Sequence, residues 1–104
     1  MKFAVSEILI GSMVAISYYK PMKAVTYSKA AIKTLRKMPA DEARRVRGKI
    51  GQYAADPESQ ARNVTALKGS PYVRLRVGDW RIIMDDQGAV LDVLKIGARG
   101  GVYE

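Results

Sequence analysis

A chain of 104 residues, 48% of them apolar and 27% charged, is long enough for one modest core and too apolar to stay disordered. It has no cysteine and no histidine, which excludes disulfides, thiolate metal sites and histidine acid–base chemistry. Eighteen Lys and Arg against ten acidic residues leave a formal charge of +8, which points to a polyanionic partner, nucleic acid or an acidic protein, with simple solubility as the plainer alternative.

Residues 1–21 read as an extension preceding the main domain. Their apolar stretch from Ile8 to Ile16 is broken by Gly11 and Ser12 and is too short to span a bilayer. Ala15-Ile16-Ser17 is a poor signal-peptide cleavage site. Two readings fit: an accessory apolar element, or an extension from an upstream start codon, since Met22 followed by KAVTYS resembles a domain's beginning. Neither implies a membrane, and the expected location is cytoplasmic.

From Lys23 the chain reads as a single domain, residues 22–104. Lys23–Tyr27 alternates polar and apolar residues and predicts a first strand. Ser28 then stands at a helix N-cap position, followed by Ala31, Ile32, Leu35 and Met38 at helical spacing, until Pro39 ends the helix. A second helix opens near Ala40, where Asp41 and Glu42 suit the positive end of the dipole. Its stripe is Ala43, Val46, Ile50 and Tyr53 or Ala54, and Asp56-Pro57 stops it. Glu58–Pro71 reads as irregular, anchored by Leu67 and closed by Gly69-Ser70-Pro71. Three strands follow in close order, Tyr72–Val77, Trp80–Met84 and Ala89–Ile96, separated by Gly78-Asp79 and by Asp85-Asp86-Gln87-Gly88. Asp85 and Asp86 fit that turn better than they fit a metal site. The fold class expected is α+β, β-α-α-β-β-β, with the two-helix hairpin on one face of a mostly antiparallel twisted sheet. The first strand must join at an edge or beside the last strand.

Alternation then sorts the charges. With Val73, Leu75 and Val77 toward the helices, Arg74 and Arg76 point to the other face of the sheet. Arg81 lies just inside the next strand, Arg99 follows the last, and Asp92 is placed to orient them. Guanidinium is the side-chain group best shaped for bidentate phosphate contact, although exposed strands also carry arginine for solubility. Trp80 fits either a base-stacking platform or the rim of the core. The glycines at 97, 100 and 101 match no phosphate-loop spacing and give the backbone freedom to bring Arg99 and Tyr103 round to the sheet.

From Met22 to Tyr103 the sequence resembles the RelE/ParE superfamily of bacterial type II toxins. The resemblance rests on KAVTYSKAAIKTLRKMP, on LKGSPYVRLRVGDWRIIMDDQGAVLDVLKIG and on the closing RGGVY. It implies a toxin with a cognate antitoxin. In the RelE branch it further implies a ribosome-dependent messenger RNA endonuclease that inhibits translation by transesterification, with no metal and no cofactor. Carried over by position, the catalytic set is Arg81, Arg99 and Tyr103, and the RNA- and phosphate-binding set is Arg74, Arg76 and Lys68. Ribosome and messenger RNA would then be partners, and the apolar extension could pair two chains into a homodimer. The ParE branch implies instead a DNA gyrase inhibitor that acts by binding, and loss of activity would leave a partner of a repressor. The sequence departs from the RelE pattern in having arginine where lysine is frequent on the second strand, and Ala98 where relatives place histidine or lysine.

Overall fold

The computed structural model of this chain describes residues 9–10, 13–14 and 22–99. In chain order the elements are β1 (Leu9–Ile10), β2 (Met13–Val14), β3 (Ala24–Tyr27), α1 (Lys29–Lys37), α2 (Ala40–Ala55), a 3-10 segment (Pro57–Asn63), β4 (Val64–Ala66), β5 (Val73–Val77), β6 (Trp80–Asp86) and β7 (Val90–Ala98). β1 pairs antiparallel with β2, Leu9 opposite Val14 and Ile10 opposite Met13. The remaining expectations for residues 1–21 fall outside the described residues.

The other five strands form one sheet in the order β3-β7-β6-β5-β4. β3 runs parallel to β7, and the remaining pairs are antiparallel. The helical hairpin and the three-strand meander therefore stand as the sequence predicts, and the first strand is at once an edge strand and the neighbour of the last.

Local chemistry explains the helices. Ser28 is extended, and its Oγ accepts from the Ala31 amide at 3.0 Å, closing the first turn of α1. The same hydroxyl donates to the Leu94 carbonyl at 2.7 Å, so one side chain both starts α1 and ties it to β7. Pro39 separates the helices and Asp56 ends α2.

The core lies between the hairpin and one sheet face. Val46 and Ile50 of α2 meet Leu75, Ile82, Met84, Leu91 and Val93, all fully buried, and Leu35 of α1 joins them at 3% exposure. Ile32 does not: it is 37% exposed, turned out of the stripe that Ala31 and Leu35 bury.

Residues 58–71, expected to be irregular, contain order. The 3-10 segment leads into β4, which pairs with β5 through Val64–Leu75, Thr65–Arg74 and Ala66–Val73. Within the segment Gln60 is buried, and its amide donates to the Gln52 side chain at 2.9 Å, fastening the segment to α2. Among the described residues no helix is long and apolar enough to cross a membrane.

At the end of the sheet where β6 meets the start of β7, Asp86 holds three elements together. Its carboxylate accepts from Tyr53 Oη at 2.6 Å and from the Gly88 amide at 3.0 Å, and pairs with Lys23 at 3.0 Å. Burial, then the bond to Asp86, pushes the Tyr53 phenol above its ordinary range. Burial also pushes the Asp86 carboxyl up, but the bonds from Tyr53, Gly88 and Lys23 outweigh it and hold the carboxyl below its ordinary 3.8. As pH falls, the unfolded chain therefore takes the Asp86 proton before the folded chain does. The stabilisation is complete above the unfolded value and is lost as pH drops through the folded one. The stability gap between wild type and Asp86→Asn, read from urea midpoints, is expected to narrow between pH 7 and pH 3. Tyr53→Phe is expected to cost about 1–2 kcal/mol at pH 7 in the same titration.

Candidate functional site

The tight turn Gly78-Asp79 sets the geometry of the basic residues. Gly78 has φ +59°, left-handed backbone that favours glycine, and it closes the β5–β6 hairpin. The register it imposes puts Arg76 directly opposite Arg81, with Val77 opposite Trp80. Because Leu75, Val77 and Ile82 point into the core, Arg76 and Arg81 share the other face.

Each of these arginines is anchored. Arg81 Nη1 donates to the Gly78 carbonyl at 2.8 Å and to the Trp80 carbonyl at 3.0 Å. Arg76 Nη2 donates to Asn63 Oδ1 at 3.2 Å, and the Asn63 amide in turn reaches Gln60 Oε1 at 3.4 Å. The segment that sequence reading left irregular thus holds a site arginine through its last residue.

Arg99 comes to the same turn, its backbone amide donating to the Asp79 carbonyl at 2.7 Å and its side chain exposed. Arg74 sits one row further along β5, opposite Ile83, which itself faces Lys95. Lys68 lies elsewhere, in the β4–β5 turn at the opposite end of β5 from Gly78. At about 3.3 Å per residue, the length of β5 keeps it more than about 10 Å from the Gly78 turn. Tyr103 lies outside the described residues.

Asp92 lies along the sheet from the Gly78 turn and not beside Arg81. It sits opposite Asp85, whereas Arg81 is opposite Gly97, and its carboxylate accepts from Thr26 Oγ1 and from Gln87 Nε2. Alternation placed it on a face but not along the strand. Trp80 proves to be a packing residue, set against the core with its Nε1 donating to Glu42 Oε1 at 2.8 Å.

That bond pins the start of α2 beside the hairpin and brings in Arg45, which sequence alone does not assign to the site. A side chain built on Gly78 would bring its Cβ to 3.2 Å from Arg45 Nη1, so the Arg45 guanidinium rests on this turn. Helical periodicity shows that Arg45 leaves the core stripe; only the tertiary contact shows what it faces. Gly78→Ala is expected to cost about 1–2 kcal/mol, from left-handed strain alone, in urea unfolding.

Chemically, this is a rim of guanidiniums around one turn, suited to a phosphate-bearing chain. Arginine stays protonated far above neutrality, so the rim can bind and stabilise negative charge but does not accept protons.

A second feature lies on the helices. Ile32, Lys29, Lys33, Arg36 and Lys37 of α1 border an open groove of about 490 Å³. Another, of about 370 Å³, shares Arg36 and runs between the helices past Met38 and Arg47.

The profile described as "ParE toxin of type II toxin-antitoxin system, parDE" matches residues 25–103. No curated protein matches the chain. Among solved structures, the fold is similar to that in an archaeal RelE–RelB complex from Pyrococcus horikoshii OT3, at 25% identity and TM-score 0.65, over 78% of this chain and 99% of that one. It is also similar to the RelBE2 toxin–antitoxin complex of Mycobacterium tuberculosis, at 20% identity and TM-score 0.63, over 76% and 100%. The isolated RelE toxin of E. coli aligns at 18% identity and TM-score 0.61, over 74% and 84%.

Proposed function

Since the chain belongs to the ParE toxin family of type II toxin–antitoxin systems, we propose that it acts in the cytoplasm as a ribosome-dependent messenger RNA endonuclease that stops translation. The observation that supports this reading best is the pairing of Arg76 with Arg81 across the β5–β6 ladder, with Arg99 tied to the same turn.

In the mechanism that follows, the ribose 2′-OH attacks the adjacent phosphorus, the bond to the 5′-oxygen breaks, and a cyclic phosphate remains. Arg81 and Arg76 hold the phosphate and stabilise the charge that grows on its non-bridging oxygens. Their anchors on Gly78, Trp80 and Asn63 fix them before the substrate arrives. Arg99 adds positive charge from the end of β7. Holding the nucleotide so that the 2′-OH lies in line with the leaving oxygen contributes a further share. Tyr103 is the proposed acceptor of the 2′-OH proton, and the departing 5′-oxygen takes up a proton from solvent.

The partner that silences the toxin is proposed to be a cognate antitoxin. An acidic amphipathic segment would lie along the α1 groove, with an apolar side chain on Ile32 and carboxylates on Lys29, Lys33, Arg36 and Lys37.

Mapping messenger RNA 5′ ends in a cell-free bacterial translation system tests the function. New ends within A-site codons are the expected result. An intact message overturns the nuclease reading, and loss of gyrase supercoiling activity in the same preparation would put binding to DNA gyrase in its place.

A further inference from the structure

Arg45 is an unusual neighbour for the β5–β6 turn. It projects from α2 onto Gly78, the residue whose carbonyl already receives Arg81. Asp79, next in the turn, offers its carbonyl to the amide of Arg99. Three arginines from three elements are thus attached to two consecutive residues.

Among the described residues the Arg45 guanidinium makes no hydrogen bond and no ion pair. Of the carboxylates near it in sequence, Glu42 is engaged by Trp80, while Asp41, one helical turn before Arg45, and Asp79, in the turn itself, make no ion pair with it. Three guanidiniums around one turn outnumber its single carboxylate, Asp79, and such a surplus of like charge is unfavourable; burial does not explain it, because Arg45 is exposed. Gly78 is also the residue type that leaves room for the contact, since any Cβ there would crowd Nη1. An anion on the helix side of the turn resolves both points.

We propose that Arg45, whose guanidinium rests on Gly78, and Arg99, whose backbone is bonded to Asp79, form a second phosphate subsite that holds the RNA backbone next to the phosphate gripped by Arg76 and Arg81. This rests on the nuclease reading and extends its footprint from the sheet face to α2. A subsite of this kind reads phosphate and not base, so it strengthens binding of every sequence alike.

Binding of a short single-stranded RNA is measured by fluorescence anisotropy over a series of KCl concentrations, for wild type, Arg45→Ala, Arg45→Lys, Arg81→Ala and Lys33→Ala. Lys33→Ala removes the same charge from the α1 groove. Thermal melting confirms that all five proteins are folded. Arg45→Ala is expected to weaken binding roughly tenfold for mixed-sequence and oligouridine RNA alike, and to make the log–log salt slope shallower by about 0.7. Arg45→Lys keeps the slope and loses part of the affinity. If Arg45→Ala behaves as Lys33→Ala does while Arg81→Ala loses affinity, the subsite is overturned and the nuclease reading stands. Wild type that binds no RNA overturns the subsite as well, and the 5′-end mapping then decides the nuclease reading separately.

Discussion

Replacing Arg81 by alanine is expected, on the proposed nuclease function, to slow A-site cleavage about a hundredfold or more, the loss typical of removing one preorganised donor to a developing oxyanion. Arg81 is the appropriate residue to remove because its position is fixed by two backbone carbonyls, Gly78 at 2.8 Å and Trp80 at 3.0 Å. Its side chain spends no conformational freedom when the phosphate arrives, so the deficit should fall on the rate of the bound complex more than on binding. Single-turnover cleavage on programmed ribosomes separates these. Arg81→Lys is expected to recover only a fraction, since an ammonium keeps the charge but not the planar fork. Both variants should melt within a few degrees of wild type, because one of the two lost bonds is exposed and the other only part-buried. A full-rate Arg81→Ala enzyme would move the phosphate grip elsewhere.

The second large effect concerns stability. Ile82 is fully buried on β6, with Leu75 opposite it on β5 and Ile96 opposite it on β7. Removing its methylenes leaves a void flanked by strands that are hydrogen-bonded on both sides and cannot close in. Ile82→Ala should therefore cost about 2–5 kcal/mol, against a total of about 5–15 kcal/mol for an ordinary domain. At about 4–8 °C per kcal/mol for a domain of this size, the melting temperature falls by about 8 °C or more. Ile32→Ala, the same change at an exposed position on α1, is expected to stay within about 0.5 kcal/mol. The contrast between two isoleucines in one thermal series tests where the core ends.

The elements that the sequence makes legible are those with local punctuation. Ser28, Pro39 and Asp56-Pro57 bracket two helices, and Gly78-Asp79 and Gly88 bracket the meander. What local signals do not carry is the partner. Val64-Thr65-Ala66 is too short to announce itself; it is a strand because the free edge of β5 is there to pair with it. Ile32 belongs to an apolar stripe by spacing, yet the hairpin turns it outward. The site divides in the same way. Arg74, Arg76 and Arg81 follow from alternation on one face. Asp92 follows it too and still lies beside Thr26 and Gln87, since position along a strand is set by register. Arg45 and Asn63 enter through tertiary contacts alone.

The place of β7 has a consequence for synthesis. β3 and β7 are joined between residues as far apart as Thr26 and Asp92, a separation of 66, and β7 stands between β3 and β6 in the sheet. The earliest strand of the sheet to leave the ribosome thus has no neighbour until the latest has been made. Non-local closure of this kind delays completion of the sheet until β7 is available. A message broken within the toxin's own reading frame before β7 yields an open chain in which the first strand and the meander never meet. Such a fragment lacks Leu91, Val93 and Ile96 of the core and the Arg99 that follows β7, so the ordering of strands makes the assembled site conditional on a chain that includes β7.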